Sequence, residues 1–167
     1  LPISATEFDA SAIYNLSGAF PNDAFFVANG MSGIQSLSAI TVQTQDLIAD
    51  LGWNIVSTYI DPFEPGVDSV FASVSSEIEL VKDGYGMVYW PAYGINAIGD
   101  FTIGEGYQVK MFSTQVISIT GLMVAPELTP ITIPSGWSII GYLRHSAAPI
   151  DVMLNPIVNN ITIIKNS

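Results

Sequence analysis

The sequence GWNIVSTYI (residues 52–60) returns, 84 residues later, as GWSIIGYLR (residues 136–144). Both stretches open with Gly-Trp and continue with β-branched and aromatic residues, a composition typical of β-strands. A repetition of this kind within one chain predicts two units with the same supersecondary structure, each about 84 residues long.

The match continues beyond these strands. With a one-residue gap near Gly66, Asp68 aligns with Asp151, and IELVK (residues 78–82) aligns with ITIIK (residues 161–165). Since the apolar positions agree as well as the composition, residues 129–167 are predicted to begin a second copy of the fold of residues 46–128. We refer to these two stretches as the first segment and the second segment.

Each segment is predicted to contain one short helix. In the first, Asp68 is expected to cap a turn in which Val70, Phe71 and Val74 share a face. The aligned aspartate of the second segment is expected to do the same, and Pro156 limits that helix to about one or two turns.

Alternation along the repeated strands predicts which side chains are buried. Side chains of a strand point to opposite faces in turn. One face carries Trp53 and Ile55 in the first segment and Trp137 and Ile139 in the second, whereas the opposite face varies as far as Arg144. The tryptophan face is therefore predicted to be the structural core, where each buried side chain contributes about 1.5–3 kcal/mol.

Further strand and turn signals complete the predicted fold. The predicted strands are 87–90, 107–111, 116–120 and 131–133, and the predicted turns are 83–86 and 104–106. The fold class is mainly β, with tandem β-sandwich or barrel-like repeats, and the second repeat is incomplete because only Asn166 and Ser167 follow Lys165. Either the missing strands lie in sequence not present here, or another chain supplies them.

Three regions are predicted along the chain. Residues 1–45, rich in Ala, Ser, Asn and Gly, are an N-terminal segment that either ends a preceding domain or adds strands to the first repeat. Residues 46–128 are the first β repeat, and residues 129–167 are the partial second repeat.

The motifs GWN, VKD, VYWP and GEGYQVKM, spread over about residues 45–167, resemble a repeat of large secreted or surface proteins of Bacteroidetes. Such proteins are often cargo of type IX secretion. The resemblance implies an extracellular or cell-surface location and a repeated module, and it does not extend to the first 45 residues.

Composition restricts the partners. The net charge is −11 with only four Lys and Arg, so nucleic acid is not expected to bind. No apolar run reaches the roughly 20 residues that cross a bilayer, and no membrane insertion is expected.

Charged residues make up 11% of the chain, against about 25% in ordinary domains. A surface so poor in charge favours self-association or contact with neighbouring repeats.

Aromatic side chains form one candidate ligand site. Tyr89, Trp90 and Tyr93 lie close together in the sequence, and such rings can stack on sugars, so glycans are possible partners. The alternative is core packing of a hairpin, and alternation places Tyr89 and Trp90 on opposite faces.

Acidic residues form a second candidate site. A loop with Pro and Gly contains Asp61, Glu64 and Asp68, and such a loop suits calcium. A solvated loop explains these residues as well, and no other cofactor is expected.

Two other residues are candidate sites of modification or catalysis. Ser69 follows Asp68 in an Asp-Ser-Val triplet that resembles an O-glycosylation acceptor of Bacteroidetes. The only histidine, His145, aligns with Asp61, and no catalytic constellation accompanies it, so the chain is not expected to be an enzyme.

The sequence thus predicts a non-catalytic extracellular structural or adhesive repeat module of a bacterial cell-surface or filament protein, which assembles through β-edges and apolar contacts. The alternative is a carbohydrate-binding module that uses exposed aromatic side chains.

Overall fold

The computed structural model describes Phe25–Val27, Ser38–Ile40 and residues 42–165. The chain divides into two compact units, residues 1–43 and 44–167. In the first unit, strand β1 (Phe25–Val27) pairs antiparallel with β2 (Ser38–Ile40). The rest of the predicted N-terminal segment lies outside the described residues, apart from the start of the next strand.

The remaining strands form two antiparallel sheets. The three-stranded sheet has the order β3 (Val42–Ala49), β10 (Gln115–Met123), β5 (Ile60–Pro62). The five-stranded sheet has the order β4 (Gly52–Val56), β9 (Tyr107–Met111), β6 (Ile78–Lys82), β7 (Val88–Trp90), β8 (Ile95–Asn96). The prediction of a mainly β protein is confirmed.

Both sheets contribute side chains to one hydrophobic core, as in a β-sandwich. Alternate residues of β9 and β10 point into it, in agreement with the clean alternation of their sequences. The largest fully buried side chains include Tyr107, Phe71, Ile60, Ile78, Met111 and Ile117. Tyr107 also satisfies its hydroxyl, which accepts a hydrogen bond of 2.8 Å from the Thr102 amide.

The chain crosses from one sheet to the other just after β4. The buried Thr58 hydroxyl accepts a hydrogen bond of 2.8 Å from the Ile60 amide and donates one of 2.7 Å to Gln45 Oε1. The same Gln45 oxygen accepts a bond of 3.1 Å from the Tyr59 amide. Burial nevertheless alternates without a break across residues 52–60, where each even-numbered residue is more buried than its odd-numbered neighbours.

The prediction that the tryptophan face forms the core is wrong. Trp53 is 51% exposed, Ile55 is 42% exposed and Trp137 is 72% exposed, while Ile139 is half-buried. The inward face of β4 instead ends with Val56, which lies opposite the buried Tyr107 of β9. Trp53 faces outward, opposite Lys110, where its ring can contact lysine side chains.

Two short helices occur where the sequence predicts them. Helix α1 (Val67–Val70) continues into a 3-10 turn (Ala72–Glu77), and α2 (Ile150–Leu154) continues into another (Asn155–Asn160). The predicted buried face of α1 is confirmed, because Val70, Phe71 and Val74 are all buried.

The predicted aspartate caps are wrong. The N-caps are Gly66 and Pro149, neither of which makes a side-chain cap hydrogen bond, and Asp68 and Asp151 lie inside the first turn. There the carboxylates still lie near the positive end of the helix dipole. The cap position itself is taken by residues with φ near −50° to −59°, which Gly and Pro adopt readily.

The second segment forms no strand within its described residues. Residues 131–133, predicted as a strand, and residues 136–144 are irregular, apart from one antiparallel bridge between Ile140 and Glu105. In the first segment, the predicted turn 83–86 is confirmed: Asp83 Oδ1 accepts hydrogen bonds from the amides of Tyr85 and Met87.

Candidate functional site

A lysine lies over a tryptophan ring once in each segment. Lys82 Nζ is 5.4 Å from the centre of the Trp53 ring, and Lys165 Nζ is 5.3 Å from that of Trp137. Both distances allow a cation–π interaction. The two pairs join the same aligned positions, so the second segment brings its Gly-Trp stretch and its last apolar stretch together as the first segment does.

Backbone angles agree at other aligned positions. The agreement covers the glycine before each tryptophan, the residue that precedes each 3-10 turn, and the residue after that turn. The pairs are Gly52 (φ 93°) with Gly136 (φ 100°), Phe71 (φ −98°, ψ 7°) with Leu154 (φ −100°, ψ 4°), and Ile78 (φ −95°, ψ 123°) with Ile161 (φ −102°, ψ 125°). The local conformation of the second segment therefore follows that of the first.

Burial distinguishes the two segments. Val81 of β6 is fully buried, whereas the aligned Ile164 is 50% exposed. Val56 of β4 is 6% exposed, whereas the aligned Ile140 is 38% exposed. In the first segment β9 lies between β4 and β6 and contacts both strands. Among the described residues of the second segment there is no counterpart of β9, and these side chains are open to solvent.

The second segment is attached to the turn that precedes β9. The Gly106 amide donates to the Ile139 carbonyl at 3.1 Å, and the Gly141 amide donates to the Gly104 carbonyl at 2.8 Å. A Cβ on Gly106 would lie 2.6 Å from Ile139 Cγ2, and one on Gly141 would lie 2.9 Å from the Glu105 carbonyl oxygen. These two glycines permit an approach that other residues would prevent.

A cleft of about 500 Å³ lies beside this attachment, between the turns at Gly84 and Glu105 and the start of the second segment. Burial, and then the nearby Asp83 carboxylate, raise the pKa of Glu105, against a smaller lowering by the Tyr107 hydroxyl. The buried Ser138 hydroxyl, which also lines the cleft, has no hydrogen-bond partner among the described residues.

The predicted aromatic site divides between core and surface. Tyr89 is buried, and burial, followed by the Asp68 carboxylate, raises its pKa. Trp90 is 38% exposed and Tyr93 is 69% exposed, and their rings meet edge to face with centres 4.6 Å apart. Alternation predicted correctly that Tyr89 and Trp90 lie on opposite faces, and only the Trp90–Tyr93 pair is available to a ligand.

The predicted calcium loop is exposed. Asp61, Glu64 and Asp68 are all solvent-accessible, and among the described residues no group of three or more acidic, histidine or cysteine side chains is placed to hold a metal. Asp68 Oδ1 instead accepts a bond of 3.4 Å from Asn96 Nδ2. Calcium binding therefore stays a prediction from the sequence.

Two other predicted positions lie at the surface. Ser69 is exposed in helix α1, where a modifying enzyme could reach its hydroxyl. His145 is also exposed, and its ring meets that of Tyr59 edge to face at 5.4 Å.

Sequence reasoning missed the contacts that the lysines make with the tryptophan rings and the close approach at Gly106. Lys82 and Lys165 occupy the same aligned position once the one-residue gap is included, and this recurrence was the available signal. The close contact at Gly106 joins positions far apart in the sequence and left no such signal.

No helix within the described residues combines the length and apolar character needed to cross a bilayer. No family model, curated protein or solved structure was found to match the chain.

Proposed function

We propose that the chain is a non-catalytic structural or adhesive repeat module of a bacterial cell-surface or filament protein, which assembles through β-edges and apolar contacts. One observation carries the proposal. The second segment follows the local geometry of the first, yet apolar side chains at positions buried in the first segment are exposed in the second. A surface of this kind gains free energy when a partner covers it.

The tandem repeat is part of this proposal. The matched Trp–Lys pairs and backbone angles support two related units, the first complete and the second partial. The extracellular location is supported by the sequence resemblance to repeats of secreted and surface proteins of Bacteroidetes, including type IX secretion cargo.

Light scattering of the purified chain over a range of concentrations tests the proposed assembly, with electron microscopy of the same samples. We expect oligomers or filaments whose share rises with concentration. The variant Ile164→Ser should reduce association. The control Val116→Ser removes an apolar side chain of similar exposure (51% against 50% for Ile164) from β10, the central strand of the three-stranded sheet, and should leave association unchanged. A monomer at every concentration would refute the assembly.

A carbohydrate-binding function is the second candidate, supported by the exposed edge-to-face pair of Trp90 and Tyr93. Binding to a glycan array, followed by calorimetry, tests it. Trp90→Ala should weaken binding by at least about tenfold without changing the unfolding midpoint. Tyr85→Ala removes an exposed ring from a neighbouring turn and is the control.

A further inference from the structure

We propose that the outward face of the five-stranded sheet binds an acidic polysaccharide, with a uronic acid residue stacked on Trp53 and its carboxylate held by Lys82 and Lys110. We call this surface the Trp53 face and define it by those three residues and Gln108. The inference goes beyond the proposed assembly and does not depend on it, because the Trp53 face lies within the first segment.

Three neighbouring strands place these side chains on one face of the sheet. Trp53 of β4 lies opposite Lys110 of β9, and Gln108 of β9 lies opposite Lys82 of β6. Val109, between Gln108 and Lys110, is fully buried, so both of its neighbours point outward. Because residues that lie opposite each other in a sheet share a face, Trp53 and Lys82 point outward as well.

The Trp53 ring has two ammonium groups beside it and still has free surface. Lys82 Nζ lies 5.4 Å from the ring centre, and Lys110 Nζ lies 5.8 Å from it. Since β4 is an edge strand, both lysines come from strands on the same side of it. The tryptophan side chain is 51% exposed, so a sugar ring can stack on it next to the two cations.

The Trp53 face concentrates positive charge in an acidic chain. The chain has four Lys and Arg against 15 Asp and Glu, and two of those four cations meet at this one ring. Within the described part of the chain, Lys110 pairs with Glu79 at 2.9 Å and Lys82 has no ion-pair partner. Exposed charges more than about 8 Å away are largely screened at physiological ionic strength, so the local cations determine which ion binds.

The aromatic ring and the cations together select an acidic sugar. A pyranose has a face of C–H groups that can lie on an indole, and a uronic acid carries its carboxylate at the edge of the same ring, where an ammonium group can bind it. The Gln108 amide can donate to and accept from sugar hydroxyls.

Other anions fit less well. An acidic peptide offers its carboxylates on flexible side chains and has no rigid apolar face for Trp53. Nucleic acid relies on many phosphate contacts, and the Trp53 face offers two lysines. A neutral sugar would leave both lysines without an anion.

The second segment provides an internal comparison. Lys165 lies over Trp137, but among the described residues no second cation is within cation–π distance of that ring. Because one cation is available where the Trp53 face has two, the second pair should bind an acidic sugar much more weakly.

Calorimetric titration of the purified chain with a short oligogalacturonate tests the proposal. We expect saturable binding at one site per chain, which weakens as the salt concentration rises. Two control ligands separate charge from stacking. The methyl-esterified oligosaccharide keeps the sugar rings without their charge, and polyglutamate keeps the charge without the rings. Each should bind at least about tenfold more weakly.

Protein variants locate the sugar. Lys82→Met should weaken binding by about tenfold, whereas the matched control Lys165→Met should leave it unchanged. Glu79→Gln removes the carboxylate that competes for Lys110 and should strengthen binding by up to about fivefold, a gain that damage to the fold would not produce. Trp53→Ala should weaken binding at least about tenfold, and urea unfolding checks that each variant is folded.

Several results would overturn the Trp53 face. These are an absence of oligogalacturonate binding, equal binding of either control ligand, and equal losses for Lys82→Met and Lys165→Met. A loss in Trp90→Ala without a loss in Trp53→Ala would also overturn it, because the sugar would then lie on the Trp90–Tyr93 pair.

Discussion

The two segments share local conformation and differ in burial. In both, a glycine with positive φ precedes a tryptophan, a helix of four or five residues leads into a 3-10 turn, and a lysine reaches the tryptophan ring. Within the described residues, β9 and the closed core belong to the first segment. Turns and short helices therefore form from nearby sequence, whereas the sheet and its buried face depend on a central strand.

The largest expected difference between the segments concerns the residue that precedes each 3-10 turn. Phe71→Ala should lower the free energy of unfolding by about 3–5 kcal/mol, because Phe71 is fully buried. The aligned variant Leu154→Ala should cost about 1 kcal/mol or less, because α2 has no buried residue. Urea unfolding measures both. Equal losses would show that the second segment has a complete core of its own.

The attachment between the segments is expected to be the next most sensitive feature. Gly106→Ala places a Cβ 2.6 Å from Ile139 Cγ2 and should cost about 1–3 kcal/mol, expressed mainly as release of the second segment. Limited proteolysis should then cut within residues 129–165. Gly84→Ala is the control, since its Cβ would lie 3.9 Å from the nearest atom, the Ile139 amide nitrogen. Unchanged proteolysis of the Gly106 variant would mean that this contact does not hold the segment.

The Trp–Lys pairs should have a smaller effect that is similar in both segments. Lys82→Met and Lys165→Met keep an apolar stem but remove the cation, and each should cost about 0.5–1 kcal/mol. Trp53 retains Lys110 at 5.8 Å, so Lys82→Met should fall at the lower end of that range. Urea unfolding and tryptophan emission measure the changes. A much larger loss for one lysine would break the equivalence of the two pairs.

The smallest expected effect depends on pH at the cleft between the segments. The pKa of Glu105 is raised above 4.5 by burial and by Asp83, so the folded chain binds this proton more tightly than the unfolded chain. The stability that protonated Glu105 contributes is present below pH 4.5 and is lost as the pH rises through the folded pKa. Glu105→Gln should therefore be more stable than the parent at pH 7, with the difference vanishing below pH 4.5. A difference independent of pH would exclude ionisation of Glu105 as the cause.

Much of the fold follows from the sequence. Alternation correctly predicts β9 and most of β10, the apolar spacing correctly predicts the buried face of α1, and Asp83 correctly marks a turn. Each of these signals lies within a few adjacent residues. They required no knowledge of which strands become neighbours.

The failures concern relations between distant residues. Trp53 was assigned to the core because its face stays apolar or small in both segments whereas the opposite face varies as far as Arg144, but its partners are outward-facing lysines on β6 and β9. The alternation of residues 52–60 is real, since the even-numbered residues are the more buried ones, and the error lay in which of the two faces was taken as the core. The strand predicted at residues 136–144 does not form, because a strand requires a neighbour, and only one bridge is available.

The crossing at Thr58 also limits how the length of this chain can vary. Its hydroxyl bonds to the Ile60 amide and to Gln45, so one residue more or fewer between β4 and β5 would reverse the inward and outward sides of the following strand. The aligned stretch of the second segment has the same number of residues, and the one-residue gap of the alignment falls instead in the loop near Gly66. Insertions and deletions should therefore be tolerated in the loop near Gly66 and not tolerated at the crossing.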